Sequence, residues 1–403
     1  MVIQRRDYRP PRRGPSCLFV LVMLLLILVG GYVITNAEQV RDTLTPDPTP
    51  EPTRSAPTYA ARAALYERDG DLEQAIASYE SAIELDNGKV EYYIPLIRLL
   101  VATNQSDVAL TWAARASALD ETNDLILSAW AAAFLADGDR LSDIGQPVDG
   151  EKAWADAVRQ ARAATQQNPN NAEAYAIMAS ALVREGPEQF DAANEAIQTA
   201  LALEPDSVLV RRHNATVLEY QGYYDKAIEQ YEFALQITPN DADLLISLAR
   251  NYWATSNIPT AILTFEDAIK VNPNSADAYD GLGYMYFLIG EYPRAEENFI
   301  KAVELDPDMV RAHAHLGASR YRQFNYDGES GAIPQLEMAI AGYGEASPET
   351  AIYFNMLGLA YYYTTGSCVQ SESLFEQVLT VLPEDANALY GMDLCHEAEL
   401  NQP

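Results

Sequence analysis

The sequence predicts an all-α array of stacked helix pairs. Three observations lead there: alanines recur at a fixed spacing, prolines close most of the periods, and small and aromatic apolar residues fall at helical spacing after Pro57. Ala75, Ala109, Ala157, Ala193, Ala227, Ala261, Ala295 and Ala332 are each followed seven residues later by another alanine. Four of the seven steps between them are 34 residues, and the others are 48, 36 and 37, which read as 34 plus loop insertions. A ninth copy carries Ser371 and Val378 at the two places. Pro169, Pro205, Pro239, Pro273, Pro307 and Pro383 end six copies, because proline cannot continue a helix and restricts the residue before it.

The elements before the array are of other kinds. Residues 1–16 form a basic tail with five arginines and one acid, Asp7. Residues 17–35 follow as a candidate transmembrane helix, with no charged residue from Gly14 to Ala37. Leu18 to Thr35 gives ~27 Å of helix at ~1.5 Å per residue, close to the ~30 Å hydrocarbon thickness. The rival reading is a cleaved signal peptide with a small-residue site at Thr35-Asn36-Ala37, although a signal's apolar stretch is normally ~7–15 residues. Five arginines before the span, against Arg41 and Arg54 soon after it, place the N-terminus in the cytoplasm and the rest outside. Residues 36–57 are a linker with prolines at 46, 48, 50, 52 and 57. Its proline-rich part would span on the order of 45 Å as polyproline II, at ~3.1 Å per residue.

One copy carries the repeat pattern most fully. Residues 276–309 place Tyr279, the Leu282-Gly283 pair, Tyr286, a turn at Gly290, Ala295, Phe299, Ala302 and the closing Pro307 in order. A 34-residue period with these places resembles the tetratricopeptide repeat. The resemblance runs over about residues 56–399. It implies an all-α tetratricopeptide-repeat solenoid, a superhelix of antiparallel helix pairs, preceded by the transmembrane helix and the Pro-rich linker. Nine repeats are expected over 58–385, with a capping helix and tail at 386–403. Each hairpin cannot bury its apolar face alone, so the units must stack. The third unit carries a 14-residue insertion at 137–150, and the second has Pro95 inside its first helix.

Composition narrows the function. The net charge is −31, and leaving out the five N-terminal arginines and Asp7 gives 22 basic against 57 acidic side chains. Such a surface repels nucleic acid, so no nucleic-acid partner is expected. No phosphate-binding glycine loop, zinc-protease helix or nucleophile elbow occurs, so neither catalysis nor a cofactor is expected. The histidines have no ligand spacing, and His313 sits at an aromatic packing place. Asn104-Gln105-Ser106 and Asn214-Ala215-Thr216 match the glycosylation acceptor, but Asn214 replaces a core leucine and should be inaccessible.

The resemblance also implies where a partner would sit. In this family the first helix of each unit lines the concave face, with places two, five and nine pointing in. These places carry more arginine than composition predicts, so a groove less acidic than the exterior is expected, suited to a protein or an extended peptide. The partner-facing residues are Arg98, Arg212, Arg250, Asp280, Tyr284, Arg311, His315 and Asn355. Some family members clamp a C-terminal carboxylate with paired Lys and Asn. Ala60, Ala64, Ile94 and Pro95 stand there instead, so that clamp is not expected.

The expected function is a membrane-anchored extracytoplasmic scaffold for protein contact. The alternative is a secreted carrier or ligand-binding repeat protein freed by signal cleavage. Outside the membrane the only cysteines are Cys368, at the turn of the ninth unit, and Cys395, late in the capping helix. The helix arrangement the family implies brings both near one edge, so a disulfide pinning the cap is expected in a non-cytosolic compartment.

Overall fold

A computed structural model describes residues 17–35 and 55–400. The basic tail, the linker up to residue 54 and residues 401–403 lie outside the described residues. There are 20 α-helices and no strand among the described residues. The first, α1, is Cys17–Thr35. The rest form pairs: α2 Ala56–Asp69 and α3 Leu72–Leu85; α4 Val90–Ala102 and α5 Ser106–Ser117; α6 Asp124–Asp143 and α7 Pro147–Gln167; α8 Ala172–Glu185 and α9 Phe190–Leu203. They continue with α10 Val208–Tyr220 and α11 Tyr224–Ile237; α12 Ala242–Ala254 and α13 Ile258–Val271; α14 Ala276–Leu288 and α15 Tyr292–Leu305. The last are α16 Val310–Arg322 and α17 Ala332–Tyr343; α18 Ala351–Thr365 and α19 Glu372–Val381; and α20 Ala386–Leu400.

The side chains of Leu21 to Val29 in α1 are all exposed. Among the described residues no helix is long and apolar enough to cross a membrane; in α1 the unbroken run with described side chains is Leu21–Val29.

The alanine period is the packing seam. All sixteen of the spaced alanines are 0% exposed, and so are Ser371 and Val378 in the ninth unit. A residue without further side chain lets helix axes approach until backbones nearly touch, and large neighbours fill the space beside them. Phe265, Phe299, Phe354 and Phe375 are the largest fully buried side chains. Glycines extend the same device. A Cβ on Gly283 would lie 2.7 Å from the Phe299 ring, one on Gly317 2.6 Å from Leu336, and one on Gly358 2.6 Å from Phe375.

Each hairpin also depends on its ends. Asp71, Asn123, Asn171, Ser207, Asp241, Asn257 and Ser275 each accept from a backbone N–H of the first turn that follows, satisfying donors the helix cannot. The turn inside a hairpin needs one left-handed residue. Gly70, Gly222 and Gly290 supply it at φ near +80°, but Asn104, Ser256 and Phe324 hold the equivalent place at φ 57°, 63° and 60°. A Cβ in that region costs about 1–2 kcal/mol, less for asparagine, so Ser256 and Phe324 strain their turns.

The third unit departs from expectation. Its insertion is helical, not a loop: α6 and α7 are 20 and 21 residues long, against 13 or 14 for most of the others. Gly145 at φ +78° ends α6, and Pro147 opens α7 at a position where its missing N–H is harmless. The two extensions pack closely. Gly138 accommodates the Trp154 indole, whose Nε1–H donates to Asp139 Oδ1 at 2.9 Å. The smaller insertion in the fourth unit is a short 3-10 turn, Pro187–Gln189. At the other end Cys368 and Cys395 form a disulfide, with Cα atoms 5.4 Å apart, joining the last hairpin to α20.

Candidate functional site: the concave cleft

The first helices of units two to seven line one concave cleft of about 610 Å³. Arg98, Arg212 and Arg250 come together in it, from α4, α10 and α12. Arg184 of α8 joins them, and four carboxylates face them: Asp139, Glu173, Asp243 and Asp277. The lining is therefore formally neutral in a chain of net charge −31. It is less acidic than the exterior, as expected, but not basic. The neutralising Glu173, Asp243 and Asp277 are second-place residues of their first helices, the register that also yields Arg311.

The charges are ordered as pairs. Arg98 reaches Glu173 across two units at 2.5 Å. Arg250 reaches Asp277 at 3.2 Å, and Arg311 binds the same Asp277 at 2.7 Å. Arg184 is held most firmly: Nε and Nη2 donate to the two oxygens of Asp139 at 2.6 and 2.8 Å, and Nη1 donates to the Ser180 carbonyl at 2.7 Å. Its guanidinium also lies over the Tyr220 ring, 5.0 Å from the centroid. Arg184 stands late in its helix and Asp139 inside the insertion, so inspecting the three inward places could not reveal them. Arg212 is exposed and makes no ion pair within 4 Å among the described residues. It is the uncommitted cation of the cleft.

Burial raises the Glu173 carboxyl above its ordinary value although Arg98 opposes the shift. Asp243 is raised in the same way, with Arg212 and Arg250 pulling against the walls of the groove and Asp241. His213 is pushed down to about 3, by burial first and then by Arg212 and Arg184, so it is neutral at physiological pH. One of its nitrogens, Nδ1, lies 2.7 Å from Ser180 Oγ.

The other anticipated residues sit differently. Asp280 was expected to face a partner, but it is 3% exposed. Its Oδ2 accepts from Arg311 Nε at 2.8 Å, and its Oδ1 lies 2.7 Å from His315 Nδ1. Burial would raise Asp280, but His315 and Arg311 outweigh it and hold the carboxyl well below the usual range. Tyr284 stacks on His315 at 4.9 Å and meets Trp253 edge-on at 5.5 Å. This cluster adjoins the cleft through Asp277. Asn355 is also buried, at 3%, and cannot meet a partner: its Nδ2 donates to Asp385 Oδ1 at 2.9 Å, beside the start of α20. Asn214 is buried as expected. Among the described residues no group of three or more His, Cys, Asp or Glu could hold a metal ion.

Comparison with known proteins bears on the fold. Tetratricopeptide repeat models match residues 188–242 and 246–310, and another matches residues 56–89. A search of curated proteins gave no significant match. Among solved structures, the human IFIT1 dimer with m7Gppp-AAAA is similar at 20% identity and TM-score 0.61, covering 94% of this chain and 89% of that one. The human IFIT1 dimer with PPP-AAAA is similar at 21% and 0.60, covering 85% and 83%. A tetratricopeptide repeat protein from Parabacteroides merdae matches at 17% and 0.45, covering 66% and 98%. At these identities the likeness concerns the fold alone. The described residues form an all-helical solenoid of tetratricopeptide-repeat type, an architecture suited to protein–protein interaction.

Proposed function

We propose that the chain is a membrane-anchored, extracytoplasmic, non-enzymatic scaffold whose concave cleft holds an extended peptide segment of a partner protein. The carrying observation is the cleft itself: paired charges of both signs over six units, with Arg212 left uncommitted. An extended strand presents donors and acceptors alternately along its length, and a ladder of arginines and carboxylates can answer both. An acidic side chain of the partner would pair with Arg212. A lining with as many acids as arginines gives a polyphosphate no excess of positive charge, so the likeness to IFIT1 is read as fold and not as RNA binding.

Arg212→Glu combined with Arg250→Glu tests the cleft. Both side chains are exposed and the Arg250–Asp277 pair is about half-exposed, so stability should change little. Capture of partner by the full chain should be lost with the thermal midpoint kept; unchanged capture moves the interface off the concave face. The anchor reading is supported by the uncharged Gly14–Ala37 stretch and the arginines before it. Protease added to intact cells should digest the repeats, and survival until the membrane is opened would reverse the orientation. A secreted carrier is the second reading, favoured by the small residues at Thr35-Asn36-Ala37. Its mark is a shortened chain in the medium.

A further inference from the structure

The elongated third unit reaches the eighth. The six or seven residues that α6 has beyond an ordinary first helix carry its end roughly 10 Å past the edge of the array. The turn there is tight: Gly145 N–H donates to Ser142 O at 3.1 Å and Gln146 N–H to Leu141 O at 2.8 Å. A Cβ added to Gly145 would lie 2.8 Å from the Tyr343 carbonyl oxygen and 3.7 Å from its Cα. The backbone of the turn thus rests on the backbone at the end of α17, almost 200 residues further on. Tyr343 is fixed from behind by stacking on Tyr353, 6.1 Å away.

The charge around this contact is mixed, and the protein packed about Asp143 outweighs the nearby arginines and raises its carboxyl above the ordinary value. Asp143, the last residue of α6, keeps exposed surface although protein crowds its carboxyl. Arg311 and Arg250 are the cations that act on it, and Asp139 and Asp277 the anions. Both carboxylates already serve arginines: Asp139 binds Arg184, and Asp277 binds Arg250 and Arg311.

From this contact and the closure it makes, we infer that the third unit is a strut spanning the superhelical gap to the eighth unit, which turns the concave face into a bounded compartment. That compartment takes a single extended strand of a partner and excludes a folded domain. The inference on the ligand rests on the concave cleft being the binding face. The cleft's 610 Å³ falls within the roughly 300–1,000 Å³ of pockets that take small ligands, far short of a domain.

The test reads the strut without any ligand, so it stays separate from the binding proposal. Nitroxide labels go on Val148→Cys and Met338→Cys, both exposed sites flanking the contact, in the full chain carrying Cys17→Ser. The parent should give one narrow distance distribution. Gly222→Ala is the control, because its φ is also +78° but a Cβ there meets nothing within 4 Å. It should keep the parental distribution. Gly145→Ala adds the same local strain and also a backbone clash with Tyr343, so it should lose the parental peak to longer distances. Asp143→Arg, which sets a cation against Arg311 and Arg250, should do the same and decides the matter if Gly145→Ala loses helical content. A broad or long parental distribution would overturn the strut. So would folded Gly145→Ala and Asp143→Arg proteins indistinguishable from Gly222→Ala.

Discussion

Replacing Asp280 by alanine removes the acceptor that two cationic or donor-bearing neighbours share. Stranding a buried charge costs about 3–5 kcal/mol. Here the stranding is partial. Arg311 keeps Asp277 at 2.7 Å and its side chain is 36% exposed, so water offsets part of the loss. His315, at 12% exposure, is nearly enclosed and would lose the carboxylate that faces its Nδ1. The expected cost is therefore about 2–3 kcal/mol, below the full range for a stranded pair. Long repeat arrays need not unfold in one step, so a single denaturation midpoint would blur the effect. Native-state hydrogen exchange localises it. Amides of α14 and α16 should lose protection by roughly 30- to 150-fold, at about 1.4 kcal/mol per tenfold, while α2 to α5 keep theirs. Asp280→Asn should recover little, because its amide NH₂ would face a donor on one side or the other. A change under about threefold in α14 and α16 would show that Arg311 and His315 find other partners, and the reasoning would fail.

Other expectations follow from the same structure. Phe324→Gly should raise stability by about 1–2 kcal/mol, read as a higher thermal midpoint, because it relieves a left-handed phenylalanine that is 79% exposed and loses little packing. Gly283→Ala should lower it by about 1–3 kcal/mol, because the new methyl would lie 2.7 Å from the Phe299 ring and 3.2 Å from the Ala295 carbonyl. Cys395→Ser should make α20 sensitive to proteolysis and cost about 3–4 kcal/mol locally, the chain-entropy value for a bridge across 27 positions. Asp143, Glu173, Glu219 and Asp243 all titrate above their ordinary values, first because protein crowds them, although Asp143 and Asp243 keep exposed surface that screens their share, so the folded chain takes up protons before the unfolded one does. Their contribution is complete below the ordinary 3.8 and 4.5 and is lost as pH rises through the folded values. Asp280 has the opposite sign, and its contribution is lost only as pH falls below 3.8. The thermal midpoint, measured in high salt to screen general repulsion, should thus rise as pH falls from neutral toward the ordinary 4.5; a flat or falling course refutes this.

The fold was legible because its seam is made of one residue type at one spacing. An alanine at a helix crossing tolerates almost no replacement, so Ala75 to Ala339 mark the packing in plain view. The left-handed turn place was not legible, since Asn104, Ser256 and Phe324 break the glycine period that Gly222 and Gly290 keep. The insertion is helical where the period implies a loop, and Gly145 and Pro147, a helix stop and a helix start two residues apart, carry that signal. The cleft was half legible. Arg98, Arg212 and Arg250 share it as the repeat register implied, but a register reports where a Cβ points and not what a neighbouring unit sets against it. That is why the register alone does not pair Glu173 and Asp277 with arginines, and why Asp280 and Asn355, inward by register, are buried: Asp280 against Arg311 and His315 of the next unit, Asn355 beside Asp385 at the start of α20.

The meeting of Gly145 with Tyr343 also bears on how the chain comes to fold. Every hairpin packs on its sequence neighbours, which makes the array quick to assemble from any starting point and lets its ends open without the middle. A contact between positions 145 and 343 is of another order. It closes a loop of nearly two hundred residues, and the entropy of that closure must be met after the hairpins between them already stand. The strut therefore belongs to the last stage of folding and ties the third unit to the eighth. Units four to seven, enclosed by it, lose the independence that a linear array would give them and should open as a single block.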